Sequence, residues 1–159
     1  MPPSDGYAAR GRRELPTGGG DPPFLRLRTD GAARGNPGPA GLGMVIESED
    51  GTRLWGGHSY VGETTNNRAE YLALIAGLQK AATFAPARLE VCLDSQLVIE
   101  QLSGRYRIKN RPLQQLAIEV RRLLDGFPDV TLRHVPRAEN AAADALANRA
   151  LDEARPRSR

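Results

Sequence analysis

Alternation of apolar and polar residues predicts three strands at the start of the folded sequence. Residues 24–29 alternate apolar and basic side chains, which is the pattern of a strand with one buried face. Residues 41–48 form a second apolar run, and residues 52–61, interrupted by a Gly-Gly pair, form a third. The Glu-Asp-Gly sequence at 49–51 is typical of a tight turn between neighbouring strands. We therefore expect an antiparallel three-stranded meander.

Helical spacing of apolar residues begins after the meander. Polar residues 64–67 offer capping side chains to a helix over 68–78, which places Tyr71, Leu74 and Leu78 on one apolar stripe. A strand is predicted at 88–93, and Ser95 begins a short helix to residue 102 that Gly104 ends. The remaining elements are a helix at 112–124, a strand at 130–135 and a helix at 139–154. The order β-β-β-α-β-α-α-β-α predicts an α/β fold with a mixed five-stranded sheet flanked by helices.

Composition fits one folded domain with a tail at each end. The chain has 159 residues, of which 40% are hydrophobic and 26% charged. Residues 1–23 contain five Pro and five Gly and almost no large apolar side chains, so we expect a disordered tail before a domain at 24–152. Residues 153–159 form a basic tail. We expect a monomer without an evident protein partner.

Cysteine content and hydropathy exclude several classes of protein. The single cysteine, Cys92, excludes an internal disulfide framework and a cysteine-rich zinc site. No segment approaches the ~20 apolar residues of a membrane span, so we expect no membrane partner and a cytoplasmic location. The net charge of +3 is compatible with a nucleic-acid partner without requiring one.

Residues 29–41 place an acid at the end of the first predicted strand and then a turn-rich loop. Asp30 is followed by four glycines and two prolines within this stretch. Such a loop can bring bare backbone N–H groups close to an anionic ligand. The alternative is a simple hairpin turn after a strand, and the stretch by itself does not separate the two interpretations.

For four acidic residues, the local sequence does not explain why an acid stands at that position. Asp30 and Asp94 are both predicted to end strands, where ligand sites of open sheets gather. Glu70 is predicted in the first turn of its helix without an ion-pair partner three or four residues away, although such an acid can also complement the helix dipole. Asp144 lies among alanines, again without a basic residue at helical spacing, and is either a ligand or a solvated acid.

If these four carboxylates converge, a cation has to neutralise their mutual repulsion. Oxygen ligands without cysteines or histidine clusters favour a hard ion, Mg²⁺ or Mn²⁺. Two such ions about 3.5–4 Å apart on shared carboxylates form a site for in-line phosphodiester chemistry. The pattern therefore predicts a two-ion Mg²⁺ site, with Mn²⁺ as a substitute, that acts on a polyanion.

A histidine and a basic run add to this hypothesis. His134 lies near the end of the last strand, ten residues before Asp144, and is either a strand-end histidine or a proton shuttle; His58 lacks a comparable setting. Basic residues alternate around Tyr106 at Arg105, Arg107, Lys109 and Arg111, a surface suited to phosphates.

The chain resembles type 1 ribonuclease H in four segments that occur in the order and spacing of that family. They are residues 29–41 (TDGAARGNPGPAG), residues 64–70 (TTNNRAE), residues 94–96 (DSQ), and the stretch from His134 through Asn140 to Asp144. Together they span about residues 24–152. The resemblance implies a ribonuclease H fold and endonucleolytic cleavage of the RNA strand of RNA/DNA hybrids, which leaves 5′-phosphate and 3′-hydroxyl ends. Roles in removing RNA primers and R-loops are implied as well.

The resemblance also implies roles for individual residues. It makes Asp30, Glu70, Asp94 and Asp144 the metal-binding catalytic carboxylates and His134 a mobile catalytic histidine. Backbone groups of the loop at 31–35 are expected to contact RNA 2′-hydroxyls, which distinguish RNA from DNA. The full set expected to contact nucleic acid is Gly31, Arg34, Gly35, Asn36, Thr65, Asn66, Asn67, Gln96, Arg105, Arg107, Lys109 and Asn140.

The chain departs from many bacterial members at one place. Those members carry a basic protrusion with an extra helix, and here only residues 104–111 occupy that position. The chain therefore resembles the compact subgroup, in which the short basic run or the tails must hold the substrate. Two alternatives remain at this stage: another nuclease of the same fold, and a non-catalytic module that binds RNA/DNA hybrids.

Overall fold

Three long strands open the fold and form the expected meander. The computed structural model describes residues 23–154, so the predicted tails at 1–23 and 153–159 lie outside it except for residues 23, 153 and 154. The strands are β1 (Phe24–Ala33), β2 (Gly38–Ser48) and β3 (Arg53–Thr64), and both neighbouring pairs are antiparallel. All three are longer than predicted. The predicted loop at 29–41 is in fact the end of β1, a short turn and the start of β2.

Helices and two further strands complete the domain in the expected order. They are α1 (Asn66–Ala82), β4 (Arg88–Leu93), α2 (Gln96–Leu102), α3 (Arg111–Leu124), β5 (Val130–His134), a 3₁₀ turn (Arg137–Asn140) and α4 (Ala141–Ala154). The sheet order is β3-β2-β1-β4-β5, and β4 pairs in parallel with both β1 and β5. The predicted mixed five-stranded sheet is confirmed.

Side-chain oxygens cap the first three helices, at Ser95 and within residues 64–67 as predicted and at Asn110, which the sequence did not mark. Thr65 accepts a hydrogen bond from Arg68 N, Ser95 from Val98 N, and Asn110 from Leu113 N. Because the Thr65 cap sets the start of α1 at Asn66, this helix begins two residues earlier than predicted. The stretch from Ser103 to Asn110 contains no helix, which agrees with the compact form of the family.

Helices α1 and α4 cover opposite faces of the sheet. On β2, Leu42 and Met44 pack with Ala69 and Ala73 of α1. Gly41 and Gly43 alternate with them and lie against α4, where a Cβ on Gly43 would come within 2.0 Å of the Ala143 carbonyl oxygen. Because successive residues of a strand face opposite sides of the sheet, α1 packs on one face of β2 and α4 on the other.

The main core lies between the sheet and α1, α2 and α3. Its largest fully buried side chains include Tyr71, Leu74 and Leu78 of α1, the stripe that the sequence predicted. Cys92 is buried, as expected for a small core residue. Within residues 23–154, no helix combines the length and the hydropathy needed to cross a membrane.

Candidate active site

Strand pairing brings Asp30 and Asp94 to the same place in the sheet. Parallel pairing of β1 with β4 ends at the partners Arg28 and Cys92, and each acid lies two residues beyond its own member of that pair. Asp94 follows the last residue of β4, as predicted. Asp30 does not end its strand, because β1 continues beside β2 and pairs Asp30 with Gly43. The expectation of two strand-ending acids is therefore wrong for Asp30, although the two acids do meet.

Helix α1 carries Glu70 to the same point because it packs closely on β1. A Cβ on Gly31 would lie 2.2 Å from the carbonyl carbon of Ala69, so only glycine allows this approach. The backbone N–H of Gly31 then donates a hydrogen bond of 3.2 Å to Glu70 Oε1. Since α1 begins at Asn66, Glu70 lies beyond the first turn, and dipole complementation does not explain its position.

Asp30, Glu70 and Asp94 form a compact carboxylate cluster. One carboxylate oxygen from each lies within 4.8 Å of the other two. Asp144, on the first turn of α4, lines the same cleft and is close enough to help raise the pKa of the Asp30 carboxyl group. The structure thus brings together all four acids that the sequence singled out.

Burial and crowding make the charged forms of two of these acids costly. The pKa of Asp30 is raised to about 9, first by burial, then by the Glu70 charge and the hydrogen bond with Asp144. The pKa of Glu70 is raised to about 8 by burial and the Asp94 charge, against opposing effects of the Gly31 N–H and Arg137. A divalent cation among these oxygens would remove this cost.

Asp144 has a basic partner that helical spacing does not reveal. Arg137 lies 3.9 Å from Asp144 Oδ1, although it is seven residues earlier in the chain. No basic residue lies three or four positions from Asp144, but the 3₁₀ turn folds Arg137 back beside the first turn of α4. Asn148 also donates a hydrogen bond of 3.0 Å to the carbonyl oxygen of Asp144.

The 3₁₀ turn is tied to β1 beside the acids. Asn140 is fully buried and donates a hydrogen bond of 2.8 Å to the carbonyl oxygen of Thr29. Arg28 donates a hydrogen bond of 3.0 Å to the carbonyl oxygen of Glu139. The Asn140 side chain is enclosed by the protein and holds the turn in place, and its predicted contact with nucleic acid stays a prediction.

The carboxylates open into a cleft of about 540 Å³. Its other lining residues include Arg34, Asn66 and Arg137, so anionic and basic groups face the same space. Arg34 is half-exposed and is already ion-paired with Asp152 over 2.8 Å. The cleft is open and polar, which suits a charged polymer better than an apolar ligand.

Polar residues beside the cleft brace the β1–β2 turn against the start of α1. Asn36 Oδ1 accepts a hydrogen bond of 3.0 Å from Asn66 N, and Asn66 Oδ1 accepts one of 2.9 Å from Ala33 N. Gly35 adopts a φ of 107°, which side-chain-bearing residues avoid. The Asn-rich pattern that the sequence showed before Glu70 therefore has a structural use, and both asparagine side chains stay at the exposed surface.

The remaining predicted residues are not among those that line the cleft. His134 is exposed at the end of β5 and is in register with Leu93, the residue before Asp94. Gln96 is exposed and donates a hydrogen bond of 2.5 Å to Glu100, which also pairs with Arg105. Arg107 and Lys109 are exposed between α2 and α3.

Arg137 and Asn148 line the cleft but were not among the residues predicted from sequence. Asn148 follows Asp144 by four residues, so helical spacing could have indicated it. No comparable sequence signal marks Arg137, because its position depends on the 3₁₀ turn between it and Asp144. The Arg137 charge lowers the pKa of Glu70, and only the folded structure brings the two residues near each other.

Comparisons with known proteins agree with this architecture. Residues 28–150 match the family model described as reverse transcriptase-like. The chain is 35% identical over 146 residues to the ribonuclease H of Methylococcus capsulatus, covering 82% of this chain and 91% of the relative. It is 50% identical over 125 residues to the ribonuclease HI of Halobacterium salinarum, but this alignment covers 79% of this chain and only 63% of that relative.

Solved structures show the same similarity. The crystal structure of RNase H1 from Halobacterium salinarum aligns with a TM-score of 0.79 and 48% identity over 82% of this chain and 98% of that chain. The structure of LC11-RNase H1 in complex with an RNA/DNA hybrid aligns with a TM-score of 0.77 and 41% identity over 82% of this chain and 98% of that chain. The predicted family fold is confirmed.

Proposed function

Because this chain belongs to the type 1 ribonuclease H family, we propose that it hydrolyses the RNA strand of RNA/DNA hybrids at internal phosphodiester bonds. The products are 5′-phosphate and 3′-hydroxyl ends. The observation that carries this proposal is the cluster in which oxygens of Asp30, Glu70 and Asp94 lie within 4.8 Å of one another. The similarity to an RNase H1 whose structure contains an RNA/DNA hybrid supports the choice of substrate.

The donor set fits hard divalent cations. All the ligand atoms that Asp30, Glu70, Asp94 and Asp144 offer are carboxylate oxygens, which favours Mg²⁺, with Mn²⁺ as a substitute. The raised pKa values of Asp30 and Glu70 show that the cluster resists carrying its full negative charge alone. In this proposal these four residues hold two ions, which supply an activated water and stabilise the leaving 3′-oxygen when bound.

Protein groups around the cluster orient the ligands and move protons. The Gly31 N–H fixes one oxygen of Glu70, and burial of Asp30 limits its freedom to turn away. His134 is exposed beside the strand that ends at Asp94, so it is free to exchange protons with solvent and with a bound phosphodiester. We assign it the role of proton shuttle.

Basic and polar groups hold the hybrid across the cleft. In this proposal the turn containing Gly35 and Asn36 contacts the RNA strand, where the 2′-hydroxyl identifies RNA. Asn67, Thr65 and Gln96 contact the nucleic acid beside it. Arg107 and Lys109, exposed between α2 and α3, contact phosphates. Arg34 joins them while its Nη2 pairs with Asp152, because a guanidinium group has further N–H donors to offer a phosphate.

We extend the proposal to the cellular setting on the strength of family membership. The chain acts as a monomer in the cytoplasm on hybrids that RNA primers and R-loops create. The chain spans 63% of the length of the Halobacterium salinarum relative, so the activity of that whole protein is a proposal for this chain.

A panel of duplexes with one sequence tests the function. RNA/DNA, RNA/RNA and DNA/DNA duplexes are incubated with Mg²⁺ or Mn²⁺, with each strand labelled in turn. The expected result is cleavage of the RNA strand of the hybrid, with 5′-phosphate and 3′-hydroxyl ends identified by mass spectrometry. Cleavage of DNA strands would favour another nuclease of the same fold. Hybrid binding without cleavage under either metal would favour a non-catalytic binding module.

A further inference from the structure

Gln101, near the end of α2, is a polar side chain enclosed by the protein. It is 8% exposed and lies in the last turn of a helix whose first residue follows Ser95 and Asp94. It was not among the residues that the sequence marked for chemistry. A buried amide of this kind must satisfy its hydrogen-bonding groups inside the fold, so its partners define what it does.

Two side chains of α1 meet the amide oxygen of Gln101. The Tyr71 hydroxyl donates a hydrogen bond of 2.9 Å to Gln101 Oε1, and Asn67 Nδ2 lies 3.4 Å from the same atom. Tyr71 is fully buried, and burial raises its pKa to about 12, so it keeps its proton at any working pH. That proton needs an acceptor, which requires the oxygen of the Gln101 amide, rather than its nitrogen, to face Tyr71.

The orientation of Gln101 determines the orientation of Asn67. An amide oxygen can only accept, so Asn67 has to turn its NH₂ group towards Gln101. The other end of the Asn67 amide, Oδ1, then faces away from α2. Within residues 23–154, no hydrogen bond to Asn67 Oδ1 is made, and the side chain is partly exposed. Asn67 therefore presents an acceptor to the outside.

Helix α3 holds this arrangement in place. The guanidinium group of Arg121 donates hydrogen bonds to the carbonyl oxygens of Gln101 over 3.1 Å and of Leu102 over 3.4 Å. These are two of the final carbonyls of α2, which have no partner within the helix. Arg121 thus holds the backbone of Gln101, and Tyr71 and Asn67 hold its side-chain amide.

We propose that Gln101 is a positioning residue that fixes the Asn67 amide so that Oδ1 accepts a hydrogen bond from the RNA/DNA hybrid. This inference rests on the proposed function, because Asn67 is one of the residues assigned there to nucleic-acid contact. The donors that a hybrid offers to such an acceptor are the ribose 2′-hydroxyl and the guanine amino group of the shallow groove. Gln101 itself does not touch the substrate.

The test compares steady-state constants on a short hybrid for the parent chain, Gln101→Met, Asn67→Ala and the double variant. Methionine keeps the length and packing of glutamine without the amide. We expect Gln101→Met to raise KM about three- to tenfold and to leave kcat within about twofold, as expected for one lost hydrogen bond in binding. In the Asn67→Ala background, Gln101→Met should add less than about twofold, because its effect acts through Asn67.

Tyr71→Phe separates positioning from simple packing. It removes the proton that holds the Gln101 oxygen in place, so we expect KM to rise by no more than in Gln101→Met and to change by less than about twofold in the Asn67→Ala background. A Tyr71→Phe or Gln101→Met effect on KM that persists in full in the Asn67→Ala background would show that both merely loosen α1 against α2. That result, or an additive double variant, would overturn the inference.

Modified hybrids identify which group of the substrate donates the hydrogen bond. The activity of the parent chain distinguishes failure of the proposed function from failure of this inference. If the effect of Asn67→Ala survives when inosine replaces guanosine, the donor is a 2′-hydroxyl; if the effect is lost, the donor is the guanine amino group. Either result supports the acceptor role, and no effect on either hybrid contradicts it. Failure of the parent to cleave hybrids overturns the proposed function, whereas cleavage with an unchanged KM in Gln101→Met overturns only this inference.

Discussion

The backbone N–H of Gly31 donates a hydrogen bond to Glu70 Oε1 over 3.2 Å, and this contact joins the strand and the helix that supply the first two acids of the cluster. It exists because β1 and α1 approach so closely that a Cβ on Gly31 would overlap the backbone of Ala69. The role that sequence reasoning gave to Gly31 was contact with RNA. The structure gives it a second role, which is to set the position of Glu70.

Gly31→Ala should therefore damage both stability and turnover. The new methyl group would lie 2.2 Å from the Ala69 carbonyl carbon, so α1 has to move, and we expect the free energy of unfolding to fall by about 1–3 kcal/mol. The measurement is thermal unfolding together with kcat on a hybrid. Gly56→Ala is the matched control, because its nearest neighbours are side-chain atoms 3.5 Å away. A Gly31→Ala variant with the melting temperature of the parent would contradict the packing argument.

Stability without a divalent cation should depend on pH. The folded chain keeps protons on Asp30 and Glu70 up to about pH 9 and about pH 8, whereas ordinary values of 3.8 and 4.5 apply once the chain unfolds. The unfolded state then binds fewer protons between these limits, so the free energy of unfolding falls as pH rises through this window. In EDTA we expect a melting temperature about 5 °C higher at about pH 6 than at about pH 9.

Mg²⁺ and Asp30→Asn provide the controls for this pH dependence. Saturating Mg²⁺ should raise the melting temperature most at the alkaline end, because it binds the ionised carboxylates. Asp30→Asn should flatten the dependence in EDTA, since one of the two raised groups is gone. Cys92 begins to contribute at the alkaline end, because its ordinary pKa of 9.0 is raised to about 11 in the folded chain, and this contribution remains in Asp30→Asn; the window of Tyr71, from 10.0 to about 12, lies above the range. A parent melting curve that is the same at both pH values in EDTA would count against the crowding of these acids.

His134→Ala should lower turnover without abolishing it. A positioned proton shuttle contributes at least about 100-fold in typical enzymes, so we expect a loss of about that size in kcat with little change in KM. The pH–rate profile should lose its histidine-dependent limb. His58→Ala is the control, because His58 is hydrogen-bonded to Glu153 and does not line the cleft. An unchanged pH–rate profile in His134→Ala would argue against the shuttle role.

Arg107→Ala and Lys109→Ala should each weaken hybrid binding in a salt-dependent way. Each lost phosphate contact should reduce the slope of log affinity against log salt by about one, irrespective of the hybrid sequence. The measurement is fluorescence anisotropy at several salt concentrations. Arg149→Ala removes the same charge from α4, where Arg149 pairs with Glu153, and should leave the slope unchanged. Equal slopes for all four proteins would mean that the basic run does not contact phosphates.

Local patterns allowed most of the fold to be predicted. Apolar periodicity marked every element of the order β-β-β-α-β-α-α-β-α, and Thr65 and Ser95 marked helix starts through hydrogen bonds to residues three positions away. Element ends were less predictable. The glycines after Asp30 suggested a loop, but several are there because helices pack on the strands, as Gly31 against Ala69 and Gly43 against Ala143 show. Glycine signals both circumstances equally in a sequence.

The four acids could be identified from sequence, whereas the contacts that hold them could not. Absence of helical ion-pair partners drew attention to Glu70 and Asp144, a local signal that needs no tertiary structure. Arg137 beside Asp144 and the Gln101–Asn67 pair depend on how distant segments pack. The resemblance marked Asn140 for substrate contact, and no local pattern indicates its burial and its hydrogen bond to Thr29.

Asp30→Asn tests the central claim most directly, since Asp30 is the most deeply placed acid of the proposed metal centre. The variant keeps the size of the side chain but removes its charge. The measurement pairs single-turnover cleavage of a labelled hybrid in Mg²⁺ with hybrid affinity and the melting temperature. We predict a loss of turnover of at least about 1000-fold, with affinity within about threefold of the parent and an equal or higher melting temperature in EDTA. Turnover near the parent rate in a folded variant would contradict the assignment of the metal site.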